Sequence, residues 1–219
     1  MSTPGAVAAA LAACGDGAAL EQLGLEIAAL EAVDSADAVG YFAQEVVRFH
    51  SMAATLRTNK LLDNAAALDR QISHILARSL LEGFFWNTYI FWDPAHRQAR
   101  FEEKLDAFRH EYGKFWNDPF VVDRSELEPA EQDWSGRHKK GVSNILAQLK
   151  NEAGARLDFL YVLYRVASFD AHGNSMNVLF QAVFAQECKF QALDLKFGFD
   201  LMADHYLGIL RDLRDEGEL

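Results

Sequence analysis

Arg165 and His172 stand seven residues apart in LYVLYRVASFDAHGN, the stretch from Leu160 to Asn174. On a helix seven residues make two turns, so both side chains leave one face about 10 Å apart. A guanidinium beside a titratable imidazole suits phosphodiester chemistry. The guanidinium would grip a phosphate through paired hydrogen bonds, and the imidazole would move a proton to or from a ribose hydroxyl. Tyr161, Ser168 and Asn174 are the polar groups placed to support such a pair. The same residues also have an architectural reading. Arg165 would then neutralise a buried carboxylate, and His172 would end its helix just before Gly173, where the helix dipole favours a cation.

Two further groups carry charge in suggestive places. Arg78 and Glu82 lie at i,i+4 in RSLLE, where a helix turns wholly apolar. Burying either ion alone is costly, so each needs a partner: the other, or Arg165, Ser168 or His172 across the core. They form a structural bridge, or a support that fixes the Arg165–His172 geometry. The segment WSGRHKKG, from Trp134 to Gly141, is the concentrated basic patch of the chain. Arg137, Lys139 and Lys140 are its candidate RNA-phosphate contacts, with Trp134 as a stacking platform; the competing reading is a solvated basic turn. The seven histidines are scattered, with no metal-ligand spacing, and there is no glycine-rich phosphate loop or G-x-S-x-G elbow. No metal and no cofactor are expected.

These groups need helices to position them. Apolar residues recur at helical spacing through most of the chain. Leu20, Leu23, Ile27 and Leu30 predict a helix over 18–33, and Val39, Phe42, Val46, Phe49 and Met52 a second that starts after an Asp34-Ser35 cap and ends near Leu62. A third, from Ala65 to Trp92 behind an Asp63-Asn64 cap, ends in LLEGFFWNTYIFW and should be buried all round. Asp93-Pro94 starts a fourth, to about Trp116, with Phe101, Leu105, Phe108 and Tyr112 along one stripe. Residues 117–137, with Pro119 and Pro129, read as an irregular segment of the kind that often carries function. Two helices follow, over 142–151 and 155–171, and then one long helix from Ser175 to about Asp212. The expected fold is an all-α, up-and-down helical bundle with a long C-terminal helix: a loosely ordered segment over 1–17, then a single domain over 18–219.

Composition agrees with this class. Half of the 219 residues are hydrophobic, sixteen are Phe, and only four are Pro. The net charge of −11 argues against broad adhesion to nucleic acid or anionic membrane, while leaving room for a local basic site. Cys14 and Cys188 suggest no disulfide framework, and a cytoplasmic location is expected. Leu11-Ala12-Ala13-Cys14 has the look of a lipoprotein cleavage box, but no Lys or Arg precedes it and its apolar part is a short alanine stretch. No run is long enough for a membrane span.

The pairing of Arg78-Ser-Leu-Leu-Glu82 with Tyr164-Arg-x-x-Ser168-x-x-x-His172-Gly-Asn resembles an uncharacterised bacterial family of all-helical proteins, over about residues 60–210. More distantly, Arg165-x6-His172 is similar to the R-x4–6-H signature of HEPN domains. That resemblance implies a metal-independent RNase of a toxin–antitoxin or phage-defence system. It implies a homodimer with two motifs facing across a composite cleft, Arg165 and His172 as the catalytic pair, RNA as substrate, and an antitoxin or other protein partner. Val166 departs from the pattern, since a polar residue commonly follows the arginine. The alternative is a non-catalytic helical interaction or dimerisation module, with Arg78, Glu82, Arg165 and His172 as a buried polar network.

Overall fold

A computed structural model describes residues 18–63, 66–121, 123–136, 140–149, 156–172, 176–186 and 194–219. Among these the chain forms eight α-helices and no strand. They are α1 (Ala18–Glu31), α2 (Ala38–Thr58), α3 (Ala67–Phe91), α4 (Arg97–Trp116), α5 (Val142–Leu146), α6 (Arg156–Ala171), α7 (Met176–Phe184) and α8 (Leu195–Asp215). The all-α class expected from periodicity is the class observed. Arg137, Lys139, Asn174, both cysteines and residues 1–17 lie outside the described residues.

The chain divides into two compact units: Met1–Phe84 with Lys150–Leu219, and Phe85–Leu149. In the first, Phe42 and Phe49 of α2, Phe84 of α3 and Phe199 and Tyr206 of α8 are fully buried. The Tyr206 ring sits 5.9, 5.2 and 5.5 Å from those of Phe42, Phe49 and Phe84. Edge-on aromatic contacts of this kind add specificity to the area they bury. Helix α8 comes close to α6 at Gly198, where a Cβ would stand 2.4 Å from Leu163 Cδ1. It also caps α1, because the buried Asp200 carboxylate accepts the Ala19 and Leu20 N–H groups at 3.0 and 3.1 Å. These are first-turn donors that the helix itself leaves unpaired.

Local chemistry moves several predicted boundaries. Helix α2 is capped by Asp37 rather than Asp34-Ser35: its Oδ1 accepts Val39 N–H and Gly40 N–H at 2.8 and 3.0 Å. Gly40 allows this turn, since a Cβ there would lie 1.8 Å from the Ser35 carbonyl oxygen. The same helix stops at Thr58, ahead of Lys60 at φ 58°, rather than running to Leu62. The fourth helix opens as expected with Asp93, whose carboxylate accepts Ala95 N–H at 3.1 Å in a short 3-10 turn over Pro94–His96. The helix read over 142–151 is the single turn and a half of α5.

The expected long helix from Ser175 is two helices. Helix α7 ends at Phe184, with Ala185 in the left-handed region at φ 51°, and α8 starts behind Asp194, whose carboxylate caps Phe197 N–H at 2.9 Å. Leu179 and Val183, read as packing residues of one continuous helix, are exposed.

In the second unit the residues from Phe85 to Ile90 are buried on all sides, as the apolar run predicted. Phe101 of α4 is buried, but Phe108, placed on the same stripe, is exposed and stacks on Tyr112 at 5.7 Å. The irregular segment after α4 is held rather than loose. Tyr112 donates to the Glu128 carbonyl at 2.6 Å, and Arg124 to those of Trp116 and Asp118 at 2.9 and 3.1 Å. No described helix is long and apolar enough to cross a membrane.

Candidate functional site

Helix α3 carries Arg70, His74, Arg78 and Glu82 at successive i,i+4 steps, so the four share one face. That face meets α6. Arg78 Nε donates to Ser168 Oγ at 2.9 Å, its Nη1 pairs with Glu82, and its guanidinium lies flat over the Tyr164 ring at 3.9 Å. Ser168 passes its own proton to the Tyr164 carbonyl at 2.7 Å, and Tyr161 stacks on Tyr164 at 6.0 Å. Burial raises the Tyr164 phenol above its usual range, with the Arg78 charge opposing and Glu82 and Tyr161 adding to it. Arg78 and Glu82 thus find each other, and Ser168, as the cost of burying a lone ion requires. Arg165 and His172 are not among their partners.

One turn earlier, His74 Nδ1 lies 2.7 Å from Asp170 Oδ2, with side chains 1% and 4% exposed. Asp170 Oδ1 accepts Met176 N–H, the first residue of α7, at 3.0 Å. Arg70 in turn donates to Asn177 Oδ1. The polar face of α3 therefore fastens both α6 and the start of α7. His74, Asp170, Arg70 and Asn177 were not among the residues expected at a site. The i,i+4 spacing of Arg70, His74, Arg78 and Glu82 is visible in the sequence, but the helix also carries Asp69, Gln71, Ser73 and Ser79, and Asp170 shows as the partner of His74 only once α6 lies beside α3.

Arg165 and His172 lie on the solvent side of α6, opposite its buried stripe of Leu160, Leu163 and Ala167. Both are exposed, and neither side chain makes a hydrogen bond or ion pair with another described residue. Positions 162, 165, 169 and 172 follow 3-4-3 steps, so Val162 and Phe169, each half-exposed, interleave with the pair. The architectural reading, in which Arg165 meets a buried carboxylate, does not describe this geometry. The buried carboxylate on α6 is Asp170, and His74 of α3 meets it.

Lys140 sits in the second unit and is 14% exposed. Its ammonium pairs with Glu103 and donates to Tyr89 Oη at 2.7 Å, while Tyr89 also reaches Gln148 at 3.0 Å. Burial alone would lower the Lys140 pKa, but Glu103 and Tyr89 outweigh it and hold the ammonium above its ordinary range. That cation is committed internally, which leaves little of it for a phosphate. Trp134, the proposed stacking platform, packs its ring against Tyr112 at 6.0 Å. Among the described residues no group of three His, Cys, Asp or Glu is placed to hold a metal ion. Comparison with protein-family models, with curated proteins and with solved structures finds no match.

Proposed function

We propose that this chain is a HEPN-like, metal-independent endoribonuclease of a bacterial toxin–antitoxin or phage-defence system, acting in the cytoplasm as a homodimer. The observation that carries the reading is the division of labour on α6. Tyr164, Ser168 and Asp170 are engaged with the bundle, while Arg165 and His172, on the solvent side of the same helix, are exposed and have no partner among the described residues. A bidentate guanidinium at Arg165 would hold the phosphate. The ribose 2′-oxygen would attack the adjacent phosphorus as its proton leaves, forming the 2′-O–P bond and breaking the P–O5′ bond. His172 would take the first proton or supply the one that leaves with the 5′-oxygen. In the dimer, Val162 and Phe169 would bring two α6 helices together and set two such pairs in one cleft.

The test is incubation of the purified chain with RNA in EDTA, wild type beside Arg165→Ala and His172→Ala. Cleavage by wild type should fall by about 10²–10⁴ in each variant, the usual worth of general acid–base catalysis. Full activity in His172→Ala overturns the assignment.

The second reading is a non-catalytic dimerisation module, and Val162 and Phe169 favour it, because two half-exposed apolar side chains seven residues apart stand on one helix face where a second helix could cover them. A dimer that survives Arg165→Ala and His172→Ala and cleaves no RNA would select it.

A further inference from the structure

Asp170 stands two residues before His172 and six before Met176. Its carboxylate holds His74 Nδ1 with one oxygen and Met176 N–H with the other. His172 therefore lies in a stretch whose two ends, the last turn of α6 and the first residue of α7, are tied together through one side chain.

The tie depends on the protonation of His74. Its Nε2 is buried and meets no hydrogen-bond acceptor among the described residues, so the seated ring has use for one proton only, on Nδ1 toward Asp170. The charged groups facing it are Asp170 on α6 and Arg70 one turn back on α3, whose positive charge disfavours a second proton. Helix α7 presents Met176 and Asn177, which are uncharged, and Ser73 turns its hydroxyl to the Arg70 carbonyl at 2.9 Å. Arg78, on the next turn of α3, is occupied by Glu82 and Ser168. A proton on Nε2 would be a buried cationic donor with nothing to receive it, which costs far more than an exposed one.

We propose that the His74–Asp170 pair is a proton-sensitive clamp that positions His172 by fixing the start of α7 against the end of α6. The positioning role rests on reading His172 as the acid–base residue; the clamp on α7 does not. Burial holds the His74 imidazole below its ordinary range, with the Asp170 hydrogen bond and charge opposing. A released ring titrates near 6.5 and the seated ring below that, so the clamp is intact above about pH 6.5 and weakens as pH falls. At pH 5.5 the released form gains over its population at pH 7.5 by up to about tenfold, the limit set by a free ring.

Amide hydrogen exchange over Met176–Phe184 in the full chain, corrected for the intrinsic pH dependence, reads this directly. Wild type should lose protection between pH 7.5 and 5.5, by up to about tenfold. His74→Asn can still donate to Asp170 but has no second proton to take up, and should stay protected at both. Asp170→Ala should be unprotected at both, and His74→Asn keeps the test sound if that variant fails to fold. Equal protection of wild type at the two pH values, or the same loss in His74→Asn, overturns the clamp. In RNA cleavage, wild type should fall below His74→Asn at pH 5.5 and match it at pH 7.5. Absence of cleavage with the exchange pattern intact removes the RNase reading and leaves the clamp standing.

Discussion

Two arginines, Arg78 and Arg165, frame the candidate site, and the structure assigns them opposite fates on truncation. Arg78 is 16% exposed, donates to Ser168 Oγ at 2.9 Å, pairs with Glu82 and covers the Tyr164 ring at 3.9 Å. Arg78→Ala removes a hydrogen bond from a charged donor, worth about 1.5–3 kcal/mol. It also removes a cation–π contact worth about 0.5–2 kcal/mol. The Glu82 ion pair adds little to this, because Glu82 is 39% exposed and water reaches the carboxylate once the partner is gone. The expected loss is about 3 kcal/mol in total. Arg78→Lys keeps the charge, but a point-like ammonium cannot lie flat on Tyr164 and reach Ser168 together, so about half of that loss should remain.

Arg165→Ala removes an exposed side chain with no partner among the described residues, and should change stability by no more than about 0.5 kcal/mol. Urea unfolding of the three variants beside wild type measures both at once, read from midpoints at unchanged slope. A loss below about 1 kcal/mol for Arg78→Ala, or an Arg165→Ala loss comparable with it, would refute the separation of an inner structural and an outer available face on α6.

Other perturbations follow from the same geometry. Gly40→Ala forces a methyl to within 1.8 Å of the Ser35 carbonyl oxygen, a backbone atom that cannot turn aside, so the Asp37 cap must open. A loss at the upper end of the 1–3 kcal/mol typical of overpacking, or about 3 kcal/mol, is expected in thermal or urea melts. His205, half-buried with its ring 5.3 Å from that of Phe84, has its pKa lowered to about 4 chiefly by loss of solvent, with Asp204 opposing. Its folded pKa lies below its unfolded one, so it costs nothing at pH 7 and the fold loses stability as pH falls from about 6.5 toward 4. Between pH 7 and 4.5 this amounts to about 2–3 kcal/mol, which His205→Leu should abolish; an unchanged pH slope of urea stability in that variant would contradict it.

Burial was easier to read than partnership. The apolar periodicities of α1, α2 and the buried half of α3 located Leu23, Phe42, Phe49 and Phe84 in the core because a 3.6-residue repeat reports which side of a helix is dry. The same repeat could not see that α7 and α8 are separate. Leu179 and Val183 carry the pattern to the end of α7 and Met202 and Tyr206 resume it in α8, while the left-handed Ala185 and the Asp194 cap mark where one helix ends and the next begins. Phe108 fell on the right stripe and outside the core because a surface stack on Tyr112 satisfies it. At the site, an i,i+4 ion pair entering an apolar helix demands company, so Arg78 and Glu82 were legible as groups in need of partners, while the choice among each other, Ser168, Arg165 and His172 stayed open until α6 was in place. His74 and Asp170 escaped because a lone histidine and a lone aspartate carry no such demand until a second helix is laid beside them.

That difference bears on what α6 is for. A helix whose polar residues all turned inward would need no more than packing to explain them. Here Tyr164, Ser168 and Asp170 suffice to lock α6 to α3 and α7, and each is satisfied without help from Arg165 or His172. The second pair adds nothing to the bundle that the first set has not already supplied, yet it puts a cation and an imidazole on a solvent face between two half-exposed apolar side chains. Ordering long side chains costs entropy that only a contact returns. Arg165 and His172, exposed and without a partner among the described residues, have no such cost to recover inside the bundle, so a ligand could engage them without disturbing the fold.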